Sequence, residues 1–236
     1  MSWYRGNWAM ARIIGSALAA ALVVLVGVAT LGRWPLADVL AESATDPLPG
    51  LVVVAAAPPE VAGYDRSCRH GHRCVFGHAW TDDVDVAGGH DGCDTRNGIL
   101  RSQLRDVEIR PGTRGCVVVA GTLDDPYGGG VVGLADVQVD HVFPLSGAWS
   151  RGAAGWSLQR RKDFANDPRN LVATTSVVNR AKNDKMPGRW LPATAAGRCG
   201  FASRFVEVAR IYQLTITKAE NAALTKALAG CPSAGG

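Results

Sequence analysis

The residues best suited to chemistry are an adjacent aspartate and histidine, Asp140 and His141, in the stretch LADVQVDHVFPL. Val137 and Val139 alternate with other residues at a period of two, which indicates a half-buried strand, and Pro144 cannot continue a central strand. The pair is therefore expected at a strand end. Strand ends and the loops beyond them commonly carry functional side chains.

Two asparagines downstream complete a set that suits metal-assisted cleavage of a phosphodiester. Asn170 opens a second short strand, LVAT, and Asn179 lies in a helical stretch. The Asp140 carboxylate and the Asn179 amide oxygen are hard donors that suit Mg²⁺, with Mn²⁺ as the alternative. His141 has the chemistry to take a proton from an attacking water. We expect Asn170 to hold the loop and orient the histidine.

Basic side chains near this set are candidates for contacts with nucleic-acid phosphates. Lys182 lies three residues after Asn179, on the same helix face, and Arg180 is on the same helix. Arg96, in GCDTRNGIL, is a third candidate, with an ion pair to Asp94 as the structural alternative. The net charge of +4 is compatible with a polyanionic partner but does not identify one.

Seven motifs together resemble a known nuclease family. VDHVFPL, FANDPRNLVAT and NRAKNDK resemble the HNH endonucleases, also called His-Me finger or ββα-metal nucleases. GCDTRNGIL, LDDPYGGG, AWSRGAAGW and RWLP resemble an exported bacterial branch related to the C-terminal domain of GmrSD-type restriction enzymes. The resemblance covers nearly all of residues 64–231. It implies an α+β fold with a ββα-metal core, flanked by further helices and short strands and stabilised by disulfides.

The same resemblance implies roles for four residues. Asp140 and Asn179 would be the metal ligands, His141 the general base and Asn170 the asparagine that supports the ββα loop. The expected function is therefore a metal-dependent endonuclease that hydrolyses DNA, with RNA as an open alternative, outside the cytoplasm. The alternative is a binding module of the cell envelope that has the same fold but no catalytic activity. In that case His141 would be dispensable for its function.

The N-terminal region predicts export. Residues 13–32 are uncharged and long enough to cross a bilayer, which takes roughly 20 apolar residues. Arg5 and Arg12 precede them, which places residues 1–12 in the cytoplasm and the rest of the chain outside. A signal peptide cleaved after the small residues at 39–41 is the alternative. The chain is thus expected to be membrane-anchored or secreted.

Residues 33–63, rich in Ala, Pro and Val, are interpreted as a linker, and residues 64–236 as the nuclease-like domain. Within that domain we expect a hairpin around DDPYGGG and a long loop between Pro144 and Asn170. The loop would be anchored by aromatic side chains, namely Trp149, Trp156 and Phe164.

The C-terminal part of the domain is expected to be structural. An apolar face at helical spacing predicts one helix, and its members are Phe201, Phe205, Val208 and Tyr212. Thr217 and Glu220 form a capping box that begins a second helix, which Gly230 closes.

Six cysteines in an exported chain predict disulfides. Pairing between sequence neighbours is favoured, although the sequence leaves other pairings open; the neighbours are Cys68 with Cys74, Cys93 with Cys116, and Cys199 with Cys231. The segment CRHGHRC, with His78 nearby, offers a zinc site as an alternative to its disulfide. The missing C-x₂-C spacing counts against zinc.

Overall fold

The fold mixes short strands and helices, as expected for an α+β protein, and the computed structural model describes residues 48–128 and 130–232. In chain order the strands of this part are β1 (Val52–Val54), β2 (Arg105–Ile109), β3 (Val118–Asp124), β4 (Val131–Gly133), β5 (Val137–His141), β6 (Leu171–Thr175) and β7 (Thr215–Thr217). Its α-helices are α1 (Thr95–Gln103), α2 (Leu145–Ser150), α3 (Leu158–Asn166), α4 (Ser176–Lys182), α5 (Ala195–Tyr212) and α6 (Lys218–Ala229).

The Asp-His pair lies at the end of a two-stranded antiparallel ladder, β5–β6, which is followed directly by α4. His141 pairs with Leu171 at one end of the ladder and Val137 pairs with Thr175 at the other. The Thr175 hydroxyl accepts the N–H of Val178 and so caps α4 as soon as β6 ends. The predicted strand before Pro144, the LVAT strand and the following helix are all confirmed.

Two other small sheets flank this unit. Strands β2, β3 and β4 form an antiparallel sheet in that order. β3 and β4 are the predicted hairpin, with its turn at DDPYGGG. Strands β1 and β7 form a parallel pair. Each sheet is short, so burial against helices rather than strand pairing alone must supply most of its stability.

The interpretation of residues 33–63 as a linker is corrected for residues 48–54, which pack on the folded domain. Val52, Val53 and Val54 pair with Thr215, Ile216 and Thr217, and the Leu48 N–H donates to the Asn221 side chain at 3.0 Å. Leu48, Leu51 and Val53 also pack against the main core. The apolar run VVV therefore completes a sheet edge that the distant β7 would otherwise leave unpaired.

The predicted long loop between Pro144 and Asn170 is also corrected, because it contains two helices. In α2, Leu145, Ala148 and Trp149 are buried at helical spacing, and in α3 the buried residue Phe164 occupies the same core. The Ser157 hydroxyl caps α3 by accepting the Arg160 N–H. The sequence did not predict these helices because each is too short to show a repeating apolar pattern.

The main core lies between these helices and the C-terminal pair α5 and α6. The four apolar residues predicted to share a helix face are all buried on α5: Phe201, Phe205, Val208 and Tyr212. The predicted capping box is confirmed, since the Glu220 N–H donates to Thr217 Oγ1 and the Thr217 N–H donates to Glu220 Oε2. Gly230 ends α6, as predicted.

Three disulfides join the cysteines as sequence neighbours: Cys68–Cys74, Cys93–Cys116 and Cys199–Cys231. The last connects the start of α5 to the end of α6. Ligand atoms of Cys68, Cys74 and His78 lie within 4.8 Å of one another, but the two sulfurs are bonded to each other. Zinc needs thiolates, so the disulfide reading of CRHGHRC holds over the zinc alternative.

In the part of the chain that the structure describes, no helix is long and apolar enough to cross a membrane. The predicted membrane segment 13–32, the cytoplasmic residues 1–12 and the start of the linker lie outside the described residues.

Docking of β1 predicts unequal effects for two neighbouring valines. Val53 packs against the core, whereas 56% of the Val52 surface is exposed. Val53→Asn should lower the free energy of unfolding by about 2 kcal/mol, because it buries an amide, and Val52→Asn by about 0.5 kcal/mol. Urea denaturation of both variants measures the difference. Equal, negligible effects would show that this segment is a free linker.

Candidate active site

Asp140, His141 and Asn179 line one cavity of about 220 Å³ at the end of the β5–β6 ladder. Its floor is the strand end and one wall is α4 together with the residues that follow it. Successive strand residues point to opposite faces, so Asp140 and His141 approach this cavity from two sides. The ladder thus brings together three of the four residues that the sequence singled out.

Asp140 is 5% exposed and both of its carboxylate oxygens are engaged. Oδ1 accepts a hydrogen bond from Lys182 Nζ at 2.9 Å, and Oδ2 accepts one from the Tyr127 hydroxyl at 3.2 Å. Burial raises the pKa of Asp140 to about 6, against the opposing effect of the Lys182 ammonium. The carboxylate is therefore still ionised at neutral pH, although it is buried.

Lys182, which the sequence predicted to contact nucleic-acid phosphates, lines the cavity but has its ammonium engaged within the protein. Its side chain is fully buried, and its ammonium donates to Asp140, to the His141 carbonyl at 2.8 Å and to the Asn183 carbonyl at 3.4 Å. Those contacts use all three donors of an ammonium group. The i to i+3 spacing correctly placed Lys182 on the helix face of Asn179, but that face turns toward the strand end rather than toward solvent.

His141 is held in one tautomer by the backbone. Its Nε2 lies 2.8 Å from the Ala165 carbonyl, which can only accept, so Nε2 carries the proton and Nδ1 the lone pair. Burial lowers the pKa of His141 to about 4, and the positive charges of Arg66 and Lys182 act in the same direction. The imidazole is neutral at pH 7 and has a basic nitrogen available.

Trp80 covers one face of the His141 ring. The two rings are parallel within 9°, with centroids 5.8 Å apart. Trp80 has a φ of +61°, a left-handed backbone that costs about 1–2 kcal/mol for a bulky residue, and its carbonyl accepts the Thr95 N–H at the start of α1. No local pattern marked Trp80 as part of the site, since it lies far from His141 in sequence.

Asn170, predicted as a catalytic residue, supports the site without lining the cavity. It is fully buried; its Oδ1 accepts the Phe143 N–H at 2.8 Å, and its Nδ2 donates to the Phe143 and Phe164 carbonyls at 3.3 and 3.4 Å. Its own carbonyl accepts the Val142 N–H at 2.8 Å. Asn170 is thus a positioning residue that fixes the chain immediately after His141.

A hydrogen bond to the neighbouring strand β5 orients the side-chain amide of Asn179. Its Nδ2 donates to Gln138 Oε1 at 2.8 Å, and its Oδ1 accepts no hydrogen bond from the described residues. Asp140 uses two of the roughly four acceptor positions of a carboxylate. Both side chains therefore retain oxygen lone pairs at the same cavity, a donor set that fits a hard divalent cation.

The DDPYGGG turn explains how β6 and Asp140 are fixed relative to each other. The buried Asp125 carboxylate accepts the Thr174 hydroxyl at 2.9 Å, the Thr175 N–H at 2.8 Å and the Tyr127 N–H at 2.9 Å. This network orients Tyr127 so that its hydroxyl meets Asp140. The motif was visible in the sequence, but its role in positioning Asp140 was not.

Two arginines reach the cavity from the surface. Arg180, a predicted phosphate contact, is exposed and lines the cavity, and so does Arg66, which the sequence did not indicate. Arg96 is not among the residues lining it. The structural alternative, an ion pair between Asp94 and Arg96, is not among the ion pairs of the described residues. Asp94 instead caps α1, where its carboxylate accepts the Asn97 N–H at 2.9 Å.

Comparison with known proteins identifies the family. The family model described as "GmrSD restriction endonucleases, C-terminal domain" matches residues 94–227, more than half of the chain. The chain belongs to this family. As a GmrSD C-terminal domain it is related to nucleases, and the matched residues contain Asp140, His141, Asn170 and Asn179.

A fungal relative extends the comparison. The GmrSD-type domain is similar to an "Uncharacterized secreted protein" of Arthroderma benhamiae, with 38% identity over 142 residues that cover 59% of this chain and 68% of the relative. This relative gives no support to the expected bacterial branch. No solved structure matches the chain.

The buried Lys182–Asp140 pair predicts a large stability effect on α4. Lys182→Met leaves a buried carboxylate without its cation and should lower the free energy of unfolding by about 3 kcal/mol. Arg180→Met, two residues earlier and exposed, is the matched control and should change it by less than about 0.5 kcal/mol. Urea denaturation of both variants measures the two changes in the free energy of unfolding. An unchanged value for Lys182→Met would mean that Lys182 is a surface residue.

Proposed function

We propose that this chain is a metal-dependent endonuclease of the HNH type, which hydrolyses phosphodiester bonds of DNA outside the cytoplasm. The main observation in support of this function is the cavity that Asp140, His141 and Asn179 share, in which the Ala165 carbonyl sets the His141 tautomer. The β5–β6–α4 succession supports a ββα-metal core for this site. Membership of a family of restriction endonuclease domains supports the reaction class.

His141 acts as the general base. Its Nδ1 takes a proton from a water molecule whose oxygen attacks the phosphorus, while the bond from phosphorus to the departing sugar oxygen breaks. The departing oxygen takes up a proton from solvent. Stacking on Trp80 and the hydrogen bond to Ala165 keep the imidazole plane fixed, so little reorientation precedes the proton transfer.

Asp140 and Asn179 would hold the metal ion, Mg²⁺ or Mn²⁺. When bound, such an ion stabilises the negative charge that develops on the phosphate and on the leaving oxygen. Tyr127 and Lys182 keep the Asp140 carboxylate ionised and in one orientation. An all-oxygen pair with room for water favours these ions over zinc.

The surface of the site suits a substrate that is recognised by its phosphates. Arg66 and Arg180 are exposed at the cavity and can pair with nonbridging phosphate oxygens. Such contacts carry no base information, so weak sequence preference is expected. RNA would meet the same groups and is the next substrate to test.

Export of the enzyme is supported by two observations. The three disulfides suit an oxidising compartment, and the Arthroderma benhamiae relative is described as secreted. Anchoring in a membrane would require residues 13–32 to remain uncleaved.

Loss of the general base predicts loss of cleavage. His141→Ala should slow conversion of supercoiled plasmid to the nicked form about 10²–10⁴-fold in Mg²⁺, because the described residues that line the cavity include no second imidazole. His90→Ala is the matched control: His90 is exposed and pairs with Asp85 at 3.4 Å. It should cleave like the wild type.

Wild-type cleavage by the His141→Ala variant, with both variants folded, would exclude the general-base role. A folded wild type that is inert in both Mg²⁺ and Mn²⁺ would favour the silent binding module.

The proposed ligand role of Asn179 predicts a change in metal affinity that can be measured without substrate. Asn179→Leu removes the amide oxygen and should weaken Mn²⁺ binding at least about tenfold, whereas Asn179→Asp keeps an oxygen donor and should retain binding. Isothermal titration calorimetry measures both. Unchanged Mn²⁺ affinity in Asn179→Leu would remove Asn179 from the ligand set.

A further inference from the structure

Two further depressions on the surface lead away from the catalytic cavity, one after the other. The first, of about 700 Å³, shares Asn183 and Asp184 with the cavity. The second, of about 660 Å³, shares Gly188 and Arg189 with the first. The three spaces therefore follow one another along residues 183–190 and form a path that we call the 183–190 groove.

The excess of positive charge is largest in the second depression, which is separated from Asp140 by the first. In the first depression Glu220 is already neutralised by Arg151 at 2.8 Å, both being buried, and the charge of Asp184 is opposed by those of Lys185 and Arg189. The second depression is lined by three cations, and its described lining residues include no acid. These cations are Arg189, Arg198 and Lys226.

The groove offers charge but few surfaces for bases. Trp190 lines its far end, yet its ring packs edge-to-face on Tyr127 and Phe201, each at 5.5 Å between centroids. That ring serves the core rather than a nucleobase. Arg198 donates to the Ala193 carbonyl at 2.7 Å, which holds its guanidinium near the groove wall.

We propose that the 183–190 groove binds the phosphodiester backbone of the strand being cut, on one side of the scissile phosphate. The inference rests on the proposed nuclease function and names where its substrate runs. A path of spaced cations that leads out of the catalytic cavity matches a polyanion with a charge at every nucleotide. The enzyme would therefore bind longer strands more tightly, without preference for particular bases.

The test measures binding of a fluorescein-labelled 20-nucleotide single strand by fluorescence polarisation. The full chain is used in Mg²⁺ with His141→Ala present throughout to prevent cleavage. The groove variant is Arg189→Gln/Lys226→Gln, and the matched control is Arg110→Gln/Arg114→Gln, which removes the same charge from exposed residues outside all three spaces.

The groove variant should bind about 25-fold more weakly at 0.1 M salt, and the slope of log K against log salt should fall by about 1.4, the values for two lost phosphate contacts on a single strand. The control should change affinity less than about twofold. Wild-type affinity in the groove variant, or an equal loss in both variants, would overturn the proposal.

A small diester separates this inference from the proposed function. With His141 restored, the groove variant should hydrolyse bis(p-nitrophenyl) phosphate at the wild-type rate, because that molecule reaches only the cavity; an equal loss on this diester would place Arg189 and Lys226 in the cavity's chemistry and overturn the proposal. Absence of hydrolysis by the wild type itself would contradict the nuclease function, whereas the binding comparison would still decide whether the groove binds a strand.

Discussion

The site depends on one buried ion pair, between Lys182 and Asp140. Burial alone would favour the neutral form of a carboxyl group, and the adjacent ammonium is what keeps Asp140 ionised near neutral pH. The same ammonium bonds the His141 carbonyl and therefore ties α4 to the end of β5. An ion pair in this position contributes little net stability compared with an apolar pair, but neither partner tolerates the loss of the other. It specifies one arrangement of strand end and helix.

The elements around this pair form two supports, one for each member of the Asp-His pair. Tyr127 reaches Asp140 from the β3–β4 turn, and Asp125 in the same turn orients Tyr127 and fixes the end of β6. Asn170, the residue just before β6, fixes the backbone after His141. The support for His141 extends to Trp80 and to the carbonyl at the end of α3. The reactive groups thus sit on rigid elements, and the helices that pack the core also hold the cavity in shape.

Local patterns in the sequence predicted the elements that they encode. Alternation and Pro144 marked the end of β5, and Thr217 with Glu220 marked the start of α6, because both signals depend on neighbours in the chain. Contacts between distant segments could not be predicted this way. The spacing of Lys182 indicated a helix face but not what that face meets, and the short run at 52–54 became a strand only through β7. Trp80 reaches His141 through the fold alone.

In the proposed reaction a water molecule attacks the phosphorus of the scissile phosphate. Cleavage of a DNA strand in ¹⁸O-labelled water under single-turnover conditions, followed by mass spectrometry of the products, tests it most directly. Attack at phosphorus should place one ¹⁸O atom in the new terminal phosphate of each product pair and none at the sugar oxygen. Products whose terminal phosphate carries no label, or whose label is on the sugar, would contradict it.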